Sequence, residues 1–116
     1  MRVDNGFSLF GVGIDVIEVS RIAHAMEDPG FVAHVLTDQE RSLNPDAERL
    51  AGVWAAKEAV AKAVGVHLKW HDVEIGEAST ARIVPGAATD KLSIRISISV
   101  SGGMAVAVAI AERLDE

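Results

Sequence analysis

The sequence contains no cysteine and no tyrosine, and only three phenylalanines, two tryptophans and three prolines. Without cysteine, disulfides, thiolate zinc sites and cysteine nucleophiles are excluded outright. With so few aromatics the core has to be built from small and β-branched side chains, which bury less area per residue. A small domain of that kind gains from oligomerisation, which adds buried surface that one chain cannot supply. Positive charge is also short: 11 Lys and Arg stand against 17 Asp and Glu, a net charge of −6. That balance argues against a duplex-DNA binder held by phosphate contacts. No apolar run approaches the roughly 18 residues needed to span a bilayer. The first residues, MRVDNGFSLF, lack a basic stretch followed by a long apolar one. The expectation is a cytoplasmic protein with neither a membrane nor a nucleic-acid partner.

What is present is a chain of 116 residues, 49% of them hydrophobic, which suits one domain over residues 1–116 with a real core. Leu9 to Ile17 reads as a short buried strand, apolar apart from Gly11, Gly13 and a carboxylate, Asp15. Val19, Ile22, Ala23 and Met26 then fall at helical spacing, with Glu18 and Arg21 on the polar side. Asp28-Pro29 has the form of an N-cap followed by proline at the first helical position, and Thr37 to Glu40 that of a capping box. Asn44-Pro45-Asp46 interrupts, and Asp46 to Val64 is the longest helical stretch, ended by Gly65. On that helix Val53, Ala56, Val60 and Val64 share one face, and Glu58 and Lys62 lie opposite among the small residues Ala51, Ala55 and Gly65. Such a face suits close approach of a ligand or another chain.

Trp70 to Glu77 and Ala81 to Val84 are weak strand candidates, and Ala87 to Lys91 has room for one helical turn. Leu92, Ile94, Ile96, Ile98 and Val100 alternate strictly with polar residues, Gly102-Gly103 supplies a tight turn, and Met104 to Ile110 returns as a strand alternating with alanines. The alanine face of that hairpin can lie flat under a helix. Helices packed on one side of a small antiparallel sheet give an α+β fold.

Asp15 and Glu58 are the two acidic side chains whose surroundings are otherwise apolar or small. Brought together, two carboxylates repel unless one protonates or a cation sits between them. Two carboxylates completed by waters and phosphate oxygens suit Mg²⁺, and Lys62 adds positive charge near the same phosphates. Spacing alone favours the simpler reading, in which Glu58 and Lys62 are an ordinary i,i+4 surface pair and Asp15 is a helix cap. His24, His34, His67 and His71 show no metal-ligand spacing, and Gly11-Val12-Gly13 is not a dinucleotide fingerprint. There is no nucleotide-binding P-loop motif, and the serines of the last hairpin read as the solvent side of a strand.

GVGIDVIEVSRI at Gly11 to Ile22 and LAGVWAAKEAVAKAVG at Leu50 to Gly65 resemble the two signature segments of the holo-acyl-carrier-protein synthases, the small bacterial 4′-phosphopantetheinyl transferases. Leu36-Thr37 with Glu40, Trp70-His71-Asp72-Val73-Glu74-Ile75 and the final ISISVSGGMAVAVAIAE extend the match over nearly the whole chain. The resemblance implies the transferase fold, a homotrimer with sites at subunit interfaces, Mg²⁺, coenzyme A as donor and a serine of an acyl carrier protein as acceptor, with adenosine 3′,5′-bisphosphate released. It implies that Asp15 and Glu58 hold the metal, that Glu58 and Lys62 are catalytic, and that Lys62 and Gly65 meet coenzyme A. Arg21 matches a basic residue that receives the acidic carrier protein. Several positions depart from the family pattern: Val53 stands where arginine is usual, Val100 where histidine is usual, Gly65-Val66-His67 where Gly-Thr-Gly is usual, and the G-x-P segment before the third strand is not evident. An alternative is therefore a weakly active or inactive relative that binds a carrier protein or coenzyme A.

Overall fold

The computed structural model describes residues 7–83 and 91–114. Strand β1 (Phe7–Glu18) leads into α1 (Val19–Ala25), α2 (Pro29–Val35), α3 (Asp38–Ser42) and the long α4 (Ala47–Val64). A 3₁₀ turn (Trp70–Asp72) then precedes β2 (Val73–Ile75), β3 (Ala81–Ile83), β4 (Leu92–Ser101) and β5 (Met104–Leu114). The helical turn expected over Ala87 to Lys91 lies outside the described residues apart from Lys91 itself.

The local signals act where the residues place them. The Asp28 side chain accepts from the Gly30 amide, with Pro29 opening α2. Thr37 and Glu40 form the reciprocal capping box of α3. Asp46 caps α4, and Gly65 ends it in the left-handed conformation at φ 78°. At the β4–β5 turn Gly102 and Gly103 both take positive φ, 58° and 79°, as a two-residue hairpin turn of the primed type requires.

The main sheet is antiparallel in the order β1-β5-β4, and β2 and β3 form a second, two-stranded antiparallel sheet. Alternation on the central strand puts Ala105, Ala107, Ala109 and Ala111 on the buried face, at most 1% exposed. Their short side chains let α4 lie close against the sheet. The small second sheet and the loop before it pack on α4 as well, so α4 is not a two-faced surface helix. Ala51 and Ala55, expected to flank an open polar face, are completely buried. What remains accessible beside Glu58 is a narrow strip formed by Ala61, Lys62 and Gly65.

Gly11 and Gly13 are explained by this packing. A Cβ on Gly11 would lie 1.9 Å from the Ala63 carbonyl oxygen, and one on Gly13 2.0 Å from the Ala59 carbonyl oxygen. Neither backbone oxygen has a rotamer to escape into, so only a bare Cα fits. Gly11→Ala is expected to force β1 off α4 and to lower stability by about 1–3 kcal/mol, measured by urea unfolding. An unchanged midpoint would remove this account of the close approach.

Beneath α4 lies an ion pair that joins five elements. Lys57 and Glu40 have side chains only 2% exposed and meet at 2.6 Å. The Lys57 ammonium also donates to the Val35 carbonyl at 2.8 Å and the Trp70 carbonyl at 2.9 Å. Glu40 accepts from the Thr37 amide at 2.8 Å and the Ile75 amide at 2.7 Å. Burial pushes the Lys57 ammonium below its usual range, and the hydrogen bond and charge of Glu40 oppose that shift.

Closer to solvent, Arg82 and Thr37 donate to Glu74 at 2.8 Å each, holding its carboxyl below the ordinary carboxylate range. Because the folded value lies under the unfolded one near 4.5, this stabilisation is present above that pH and disappears as pH falls through the folded value. Thermal melts below pH 4.5 should therefore fall less steeply for Glu74→Gln than for the unaltered chain. Parallel slopes would contradict the assignment.

Candidate active site

Antiparallel pairing in the sheet and the glycine contact with α4 fix the height of Asp15 along the helix. The Asp15 Oδ1 oxygen accepts from the Lys62 ammonium at 2.9 Å, across 47 positions of sequence, and Lys62 also donates to the Ile14 carbonyl at 3.0 Å. Asp15 is therefore not a helix cap: α1 begins after Glu18, and its N-cap makes no side-chain hydrogen bond. Lys62 in turn reaches across to the strand, so the i,i+4 surface pair with Glu58 does not describe the site.

Glu58 belongs to the same cluster. Burial pushes its carboxyl up, the charge of Asp15 pushes it further, and Lys62 partly offsets both. Lys62, about half exposed, is raised mainly by its hydrogen bond to Asp15. The Asp15 Oδ2 oxygen is buried and has no hydrogen-bond partner. A buried carboxylate oxygen without a donor is costly, and such an oxygen beside a second, repelled carboxylate is the arrangement a cation relieves. Among the described residues there is no cluster of three or more acidic or histidine side chains suited to a metal. An ion held here would thus take two protein carboxylates and complete its shell with water and substrate oxygens, which matches Mg²⁺.

Glu58 and Lys62 border a cleft of about 360 Å³, and Asp15 reaches its edge through its hydrogen bond with Lys62. Glu58, Ala61 and Lys62 form its helical side, and Val66, Leu68 and Trp70 line the facing wall. Gly65 turns the chain from one to the other at the end of α4. Trp70 stacks at a tilt on Trp54, with ring centroids 5.6 Å apart. Arg21 stands apart from this group, exposed on α1. Val53 is buried and Val100 packs against the same core, so these two departures from the family pattern are absorbed as apolar packing.

Of the histidines, His67 lines the cleft. His71 lies 3.0 Å from the Ala33 carbonyl, and His24 makes a surface contact with Glu27 at 3.3 Å. Sequence reasoning missed Lys57 and Glu40 as partners. The available signal was the position of Lys57, which shares the apolar stripe of Val53, Val60 and Val64 on α4.

Residues 11–111 match the model of the 4′-phosphopantetheinyl transferase superfamily. A holo-[acyl-carrier-protein] synthase of Frankia casuarinae is 40% identical over 117 residues, covering 90% of this chain and 98% of that protein. One from Chlamydia trachomatis is 41% identical over 120 residues, covering 90% of this chain and all of that protein, 100%. Among solved structures, a Bacillus anthracis holo-(acyl-carrier-protein) synthase in complex with CoA (3′,5′-ADP) superimposes with a TM-score of 0.76 at 30% identity, over 90% of this chain and 97% of that one. The Helicobacter pylori synthase in complex with coenzyme A gives 0.74 at 28% identity, over 86% and 98%. Strand-borne Asp15, helix-borne Glu58 and Lys62, and a fold shared with these enzymes over most of its length place the chain in the 4′-phosphopantetheinyl transferase superfamily, among the holo-[acyl-carrier-protein] synthases.

Proposed function

We infer that this protein transfers the 4′-phosphopantetheine arm of coenzyme A to a serine of an apo acyl carrier protein and releases adenosine 3′,5′-bisphosphate. The observation that carries the reading is the coupling of Asp15 to Lys62 and Glu58, the last two of which line one cleft. Asp15 and Glu58 would hold Mg²⁺, which supplies charge neutralisation at the diphosphate when bound. Lys62, fixed by Asp15 and the Ile14 carbonyl, presents a cation to the donor's phosphates. Gly65, without a side chain, leaves backbone accessible where α4 ends.

Glu58, or a water held beside it, is placed to assist loss of the serine proton. The serine oxygen forms its bond to the β-phosphorus as the bond from that phosphorus to the bridging oxygen breaks. The bridging oxygen leaves with the adenosine bisphosphate, and the serine proton goes to Glu58 or to a water beside it. Most of the catalysis is positioning and charge neutralisation. Arg21, exposed on α1, serves the acidic carrier protein as a docking cation.

The main sheet turns a continuous apolar strip away from α4. Val12, Ile14 and Val16 are 56%, 57% and 50% exposed, and Ile110 lies beside them at 38%. An apolar strip of this kind marks an interaction surface, and it supports assembly into a homotrimer. No helix among the described residues is long and apolar enough to cross a membrane.

Incubation with coenzyme A, Mg²⁺ and apo carrier proteins should add the phosphopantetheine mass to the carrier, and chelation by EDTA should stop it. Binding of coenzyme A without any mass gain would leave only a binding module. Full transfer in EDTA would remove the metal from the scheme.

A further inference from the structure

Lys57 directly precedes Glu58 and lines the same cleft, yet its ammonium points away from solvent. An ammonium has three protons, and each has an acceptor here: Glu40, the Val35 carbonyl and the Trp70 carbonyl. The Trp70 bond matters most for the site. The segment from Val66 to Lys69 is neither helix nor strand, and with Trp70 it forms the wall opposite Glu58 and Lys62. At the far end of that wall, Lys57 ties the Trp70 backbone to the helix at 2.9 Å, one residue before Glu58. Gly65 anchors the near end, where its amide bonds to the Ala61 carbonyl at 2.9 Å. The width of the cleft is thus set by two anchors on α4, one of them a side chain.

We propose that Lys57 is a positioning residue for the transfer, holding the Val66–Trp70 wall at a fixed distance from Glu58 and Lys62 so that the donor is bound in register with them. The claim rests on the transferase reading above and concerns the donor only. It predicts an effect on coenzyme A that a general loss of stability would not produce. Misfolding lowers the active fraction for both substrates alike, whereas a displaced wall weakens the donor selectively.

The test is Lys57→Met combined with Glu40→Gln, which removes both buried charges together and leaves neither ion unpaired. With folding checked by circular dichroism, the KM for coenzyme A should rise about tenfold while that for the carrier protein stays within about twofold. Emission from Trp70 should shift as its backbone anchor is lost. Should the double variant not fold, Lys57→Arg keeps the charge opposite Glu40 but lengthens the reach, and the same donor-selective rise is expected. A folded variant with an unchanged KM for coenzyme A overturns the proposal. If the unaltered protein modifies no carrier, the transferase reading fails by itself. Lys57 is then judged by titrating coenzyme A against tryptophan fluorescence. Weaker binding in the variant sustains the proposal, equal binding overturns it, and no binding in the unaltered protein overturns both.

Discussion

Glu58→Gln is expected to lower kcat/KM for phosphopantetheine transfer by about 10²–10⁴-fold, the range typical of losing a general base. It should do so without any loss of fold stability. The two halves of this expectation have one cause. Burial and the Asp15 charge raise the Glu58 carboxyl above its unfolded value of 4.5, so the folded chain prefers that group neutral. Between the unfolded and the raised folded value the folded state binds more protons, and stability declines as pH rises through that window. At neutral pH the ionised carboxylate is therefore a strain on the fold, and a neutral isostere relieves it. Function at this position costs stability, as is common where a site requires an unfavourable charge. Carrier mass gain in the presence of Mg²⁺, and thermal melting of the metal-free protein, separate the two effects. Full turnover in the variant would remove Glu58 from the reaction, and a lower melting temperature would contradict the electrostatic account.

The second large effect is expected at a residue far less conspicuous in sequence. Glu40→Ala should cost about 3–5 kcal/mol, the range for removing one partner of a buried ion pair. The penalty is not the value of a lost contact. It arises because the Lys57 ammonium, 2% exposed, loses its counterion and must either stay charged in a buried site or give up its proton. The Thr37 and Ile75 amides lose their acceptor as well. Urea unfolding measures the difference directly, and a loss below about 1 kcal/mol, the scale of an exposed pair, would show that the pair is solvated in practice. The same reasoning makes Glu40→Gln with Lys57→Met far milder than Glu40→Ala alone.

Much of this architecture was legible because its determinants are local. The capping box at Thr37, the Asp28-Pro29 start, the αL glycine after α4 and the alternating hairpin around Gly102-Gly103 each involve residues within a few positions of one another. Backbone geometry at such positions follows from the residue type. The buried faces of β4 and β5 followed from alternation for the same reason. The site was legible in part: Asp15 and Glu58 stood out as carboxylates in small or apolar company. Their meeting depends on docking of β1 against α4, which no local rule supplies, and here the family resemblance contributed what periodicity lacked. The face of α4 was misread because a helical wheel assumes one buried side. A helix covered by a sheet on one side and by a loop and second sheet on the other buries Ala51, Ala55 and even Lys57.

Alternation decides which face of β1 is buried, but it is blind to a slip by two residues. Two strand residues advance roughly 6.6 Å and four helical residues roughly 6 Å. Gly11 beneath Ala63 and Gly13 beneath Ala59 are therefore successive notches cut to a common step. Slide the strand by one step and the Asp15 side chain arrives where only a bare Cα has room; slide it back and Leu9 or Phe10 does. Two residues that never touch a carboxylate thus act as a key that admits a single alignment, and the address of Asp15 is written in glycine.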